Sequence, residues 1–167
     1  MVPDIGLQLQ VVQKALREVV APAVDPAQKL AVEQLGLSIA TLTMVMDRIP
    51  YSRKLVRKEL AIAIDMAEAI KTLTPTAELA TAIETARIVL QDVDAENSDI
   101  KTAKVILMGL ISSLVDDVED IELRIKISRT IVRESKAQAD LYRRWCSASG
   151  FDQDMSRLPT FEETLGV

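Results

Sequence analysis

The sequence predicts an all-α protein, an up-and-down bundle of five or six helices with a long last helical region. Three observations predict it. Apolar residues recur at alternating three- and four-residue spacing along most of the chain, the period of a helix with a buried face. No segment sustains an alternation of apolar and polar residues, so no sheet is expected. Prolines and small polar residues fall where helices start and stop, as at Asp25-Pro26, Ile49-Pro50 and Thr74-Pro75.

This punctuation places helices at roughly 4–21, 26–49, 52–72, 75–93 and 98–116, with a further helix to about 148. Asp25 reads as an N-cap with Pro26 at the first helical position, Ile49-Pro50 as a stop, and Ser52 and Asn97-Ser98 as caps of the helices that follow. In the second helix Val32, Leu35, Ile39, Leu42, Met46 and Ile49 keep a heptad. Leu30, Leu37 and Met44 widen that stripe, as a bundle helix requires. The third helix carries two stripes, one through Val56, Leu60, Ala63, Ala67 and Ile70 and one through Leu55, Ile62, Met66, Ala69 and Leu73. A helix apolar on two sides must touch two neighbours, so it is expected at the centre. The fourth helix has a single seam through Leu79, Ile83, Ala86, Leu90 and Val93.

From Ser98 to Ser149, the residues Leu107, Leu110, Leu114, Val118, Ile121, Ile125 and Val132 keep nearly one phase. One unbroken helix of that length would run about 75 Å, against a diameter near 40 Å for a compact chain of this size. A break near Asp116-Asp117 is therefore expected; the alternative is a protruding helix covered by a second subunit. Gly150 reads as a stop, so residues 1–150 form the bundle and 151–167 a tail strapped onto it. In that tail Pro159-Thr160 ahead of Glu162-Glu163 can start one last turn bearing Phe161 and Leu165.

Composition narrows function mostly by exclusion. The chain has no histidine, one cysteine and five aromatics. Ser-His-Asp and Cys-His mechanisms and histidine-based metal sites are thereby excluded within one chain. A net charge of −5 and 3 % aromatics argue against nucleic acid, which needs basic surface and stacking platforms. The run Val105–Ile111 falls far short of the roughly 20 residues of a membrane helix, so no membrane partner is expected. The lone Cys146 and a start without a basic leader suggest the cytoplasm.

Four groups of residues carry whatever chemistry remains. Arg53, Lys54, Arg57 and Lys58 cluster at the start of the third helix and form a candidate anion site. Cations there oppose the helix dipole, a local conflict that invites explanation. Tyr142, Arg143, Arg144 and Trp145 form a candidate interface, since these residue types are enriched at binding hot spots. Asp65 with Glu68, and Asp116, Asp117 and Asp120, form carboxylate pairs on helix faces that suit Mg²⁺. Those pairs resemble in type the E-x-x-E and E-x-x-D pairs of all-α nucleotide pyrophosphohydrolases. That resemblance implies Mg²⁺-dependent phosphohydrolysis, with Lys54, Arg57 and Lys58 neutralising phosphate oxygens.

The favoured expectation is a non-catalytic helical interaction protein, a homo-oligomeric accessory subunit or adaptor without cofactor. The Mg²⁺-dependent pyrophosphohydrolase-type enzyme is its alternative. A homodimer is expected, with Tyr142, Trp145 and parts of residues 118–141 at or near its interface.

Overall fold

The computed structural model describes residues 4–146 and 159–166 and is all-α, with no strand among the described residues. Its elements are α1 (Ile5–Ala15), a π-helical turn (Leu16–Val20), α2 (Ala21–Ala23), α3 (Lys29–Arg48), a 3₁₀ turn (Ile49–Tyr51), α4 (Ser52–Lys71), α5 (Ala77–Gln91), α6 (Asn97–Asp117), α7 (Ile121–Trp145) and α8 (Phe161–Leu165). They divide into two compact units, the division falling after Ser52 and Cys146 grouping with the first.

The first unit pairs α1 with α3. Asp4 caps α1 by accepting from the Gly6 N–H. Asp25 accepts from the Ala27 N–H, closing a turn rather than opening the helix, so α3 starts at Lys29, three residues later than the Asp25-Pro26 signal suggests. Leu35, Ile39, Leu42 and Met46 are half-buried, and Gln13 of α1 donates 2.6 Å to Thr43 of α3. Neither helix contains a buried residue.

Ile49-Pro50 ends α3 as expected. Pro50 has no N–H to return to the carbonyl one turn back, so the chain tightens into a single 3₁₀ turn and resumes as α4 at Ser52.

The second unit is built around α4, whose Val56, Leu60, Ile62, Ala63, Ile64, Met66, Ala67 and Ile70 are all buried. Both expected stripes contribute, and the helix is central for that reason. Against it pack Leu79, Ile83 and Ala86 of α5, Ile100, Leu107 and Ile111 of α6, and Ile127 of α7, forming one core. Thr76 caps α5 through the Leu79 N–H. Glu96, not Asn97-Ser98, caps α6, forming a reciprocal capping box with Asp99.

The long last region breaks as expected, between Asp117 and Ile121. Asp120 accepts from the Glu122 and Leu123 N–H groups and so starts α7. The break resets the phase. Ile121, Ile125 and Val132, which continue the α6 stripe in sequence, are exposed, while Ile127, Thr130 and Leu141 are buried. Gly150 and residues 151–158 of the tail lie outside the described residues. The expected last turn is α8, where Thr160 and Glu163 cap one another and Leu165 is buried. Hydrogen bonds from the Thr160 backbone and hydroxyl hold the Glu163 carboxyl below the usual carboxylate range.

Candidate functional site

The basic cluster at the start of α4 resolves into two parts. Arg53 donates to the Ala95 carbonyl at 2.9 Å and to that of Val93, while Arg57 donates to the Asp92 carbonyl at 3.1 Å and to that of Leu90. These oxygens lie in the last turn of α5 and just beyond it, where a helix leaves carbonyls without intrahelical donors and presents negative dipole charge. The two arginines therefore cap α5 from a neighbouring helix. The conflict with α4's own dipole is compensated by the end of α5.

Lys54 and Lys58 remain exposed on the same face of α4. With Arg57, Ala61, Leu165 and Gly166 they line a cavity of about 270 Å³ between α4 and the C-terminal segment. Three of the four expected anion-site residues thus border one cavity, and no carboxylate among the described residues lines it.

A second polar cluster joins α4, α6 and α7. The Lys104 ammonium lies 3.2 Å from Glu59 and 3.3 Å from the Tyr142 hydroxyl, which donates to Glu59 and accepts from Gln138 at 2.9 Å. Desolvation pulls the Lys104 pKa down, but the Tyr142 hydrogen bond and the Glu59 charge outweigh it and leave the group above the ordinary lysine value. Tyr142, expected at an interface, spends its hydroxyl inside this cluster. Arg143 lies 3.7 Å from Asp140, and Arg144 and Trp145 are half-buried. Sequence reasoning missed Glu59 and Lys104, which are far apart in the chain and follow no motif.

The carboxylates considered for Mg²⁺ are not brought together. Glu68 pairs with Lys71 at 3.0 Å and Arg87 at 2.7 Å, Asp65 is exposed, and Asp120 caps α7. Asp117 borders a cavity with Thr76 and Glu78, whereas Asp116 borders a different one with Met108 and Ile131. Among the described residues no three acids or thiols form a group able to hold a metal ion.

The most extensive unusual surface is apolar and lies in the first unit. Ile5, Leu7, Val11, Val12 and Val19 are exposed in and after α1, and Leu30, Val32, Leu37 and Val45 in α3, with Leu30 at 70 %. On α3, Leu30, Leu37 and the half-buried Met44 follow one another at seven-residue spacing; instead of widening the stripe of Leu35, Ile39, Leu42 and Met46 as expected, they lie about 180° around the helix from it. Among the described residues one helical stretch, within Lys29–Lys71, is long and apolar enough to cross a membrane by length and composition, and none of its apolar window is buried.

No protein family, curated protein or solved structure matches the chain.

Proposed function

We propose that the chain is a non-catalytic helical interaction protein that associates with a second copy of itself through the apolar faces of α1 and α3. One observation carries this reading: the first unit buries no described residue while exposing large apolar side chains on both helices. A helical pair of about fifty residues without a core lacks the buried area that holds a domain of that size together. Covering Leu30, Leu37 and their neighbours supplies that area, at roughly 25 cal/mol per Å² of apolar surface removed from water.

Two features favour a second copy as the cover. A stripe with seven-residue spacing is matched by a helix of the same spacing, and α3 of another chain offers one. Residues 1–52 hold five acids and four bases, so self-association meets almost no net repulsion, although the whole chain carries −5. Between Gln34 and Met46 there is no charged residue to desolvate. A role as a cytoplasmic accessory subunit or adaptor accords with this reading and with a lone cysteine.

Sedimentation of the full chain at about 50 μM, far above the Kd of a stable dimer, tests the proposal. The expected mass is twice the 18.4 kDa of one chain, and Leu30→Lys with Leu37→Lys is expected to return it to one chain mass with unchanged helicity. A wild-type monomer would overturn the reading. So would a monomer that floats with lipid vesicles, which would assign the apolar face to a membrane.

A further inference from the structure

We infer that the cavity between α4 and α8 is a binding site for a small phosphorylated or diphosphate anion. Lys54 and Lys58 stand one turn apart on α4 and Arg57 lies between them, so three cations border about 270 Å³. Among the described residues no acid lines that space, and neither lysine has an ion pair. In a chain with more acids than bases, two lysines without ion pairs among the described residues, beside an arginine engaged by the end of α5, are a local inversion of charge around one hollow. Their field sums in the hollow and draws in an anion.

The geometry also narrows the class of ligand. Arg57 lines the cavity with its guanidinium fixed on the α5 carbonyls, so the two lysines supply the charge that is free to meet a ligand. The lysines are exposed and mobile point charges, which suit the rotationally undemanding oxygens of a phosphate better than a carboxylate fork. A single carboxylate would leave half of the charge of the two lysines uncompensated, whereas a phosphate dianion or a diphosphate balances it. Ala61 and the buried Leu165 add an apolar wall, which gives room for the short carbon body of a phosphate monoester. The volume lies near the lower end of small-molecule pockets, which excludes a nucleotide-sized ligand lying wholly inside.

The test is an amide NMR titration of the full chain at low salt with inorganic pyrophosphate and, separately, glycerol 3-phosphate. Saturating shifts at Ala61 and Gly166 are expected with at least one of them. Tighter binding of glycerol 3-phosphate supports an organic monoester, and tighter binding of pyrophosphate supports an inorganic anion. Lys54→Gln with Lys58→Gln, two exposed positions that leave the fold intact, is expected to weaken binding about tenfold or more. Leu165→Ala is expected to weaken the monoester more than pyrophosphate. Absence of saturation at about 10 mM of either probe, or equal affinity in the double lysine variant, would overturn the proposal.

Discussion

The Lys104 ammonium sits 3.2 Å from the Glu59 carboxylate, with the two side chains only 21 % and 12 % exposed. At that depth the pair is screened less than a surface ion pair, and the Tyr142 hydroxyl satisfies part of both groups. Because the Lys104 pKa is raised in the folded chain, its contribution to stability is present below the unfolded value and is lost as pH rises through the folded one. Urea unfolding is therefore expected to show the wild type losing stability as pH rises above the ordinary lysine value of about 10.4. Lys104→Met is expected to lose less over the same interval. Equal slopes for both proteins would show that Lys104 is not coupled to folding.

Arg57 is expected to matter for stability out of proportion to its position on a helix surface. Replacing it with alanine leaves the Leu90 and Asp92 carbonyls without their donors at the end of α5. Charge-assisted bonds of this kind are worth about 1.5–3 kcal/mol each before solvent competes, so a net loss of roughly 1–2 kcal/mol is expected. For a chain of this length that lowers Tm by about 3–6 °C. Arg57→Lys is expected to recover less than half, since one ammonium does not span two carbonyls as the planar fork does. A thermal melt followed by circular dichroism measures both.

How much of this was legible in the sequence depended on how local the physics was. The two stripes of α4, the Thr160–Glu163 turn and the break after Asp117 rest on side chains within a few residues of one another, and periodicity and capping rules reached them. The phase reset after the break was not reached. Ile121, Ile125 and Val132 keep the spacing of α6 but are turned to solvent, because the residues between Asp117 and Ile121 rotate α7 about its own axis relative to that pattern. Arg53 and Arg57 appeared as a charge conflict because the carbonyls they serve lie some forty residues away in sequence. The Glu59–Lys104–Tyr142 cluster was invisible for the same reason. Its members come from three helices and are joined only by tertiary packing.

The cap of α6 separates two adjacent polar residues. The Glu96 side chain accepts from the third helical N–H and Asp99 accepts in return, whereas the Asn97 Oδ1 is buried without a hydrogen-bond partner among the described residues. Glu96→Ala is expected to cost about 1 kcal/mol, as the loss of a capping interaction does. Asn97→Ala is expected to be neutral or stabilising, because it removes an acceptor that folding desolvates without recompense. Paired denaturation curves decide it, and a larger loss at Asn97 than at Glu96 would contradict the assignment of the cap.

The contrast between the two helical units predicts opposite responses to the same chemical change. Leu60 lies at 0 % exposure in the centre of α4, so truncation to alanine removes packed contacts and leaves a cavity, at a cost of about 2–5 kcal/mol. Leu37 is 54 % exposed on α3, and truncating it opens no cavity within one chain. Leu37→Ala is expected to change the stability of the isolated chain by less than about 0.5 kcal/mol. If α3 is covered by a second copy, the same substitution acts on association instead, raising the dimer dissociation constant about tenfold or more for the loss of a well-buried apolar side chain. Unfolding midpoints measured at two protein concentrations separate these effects. Wild-type stability is expected to rise with concentration, and Leu37→Ala to lose that dependence while Leu60→Ala keeps it. A concentration-independent midpoint in the wild type would leave the apolar face of α3 without the partner proposed for it.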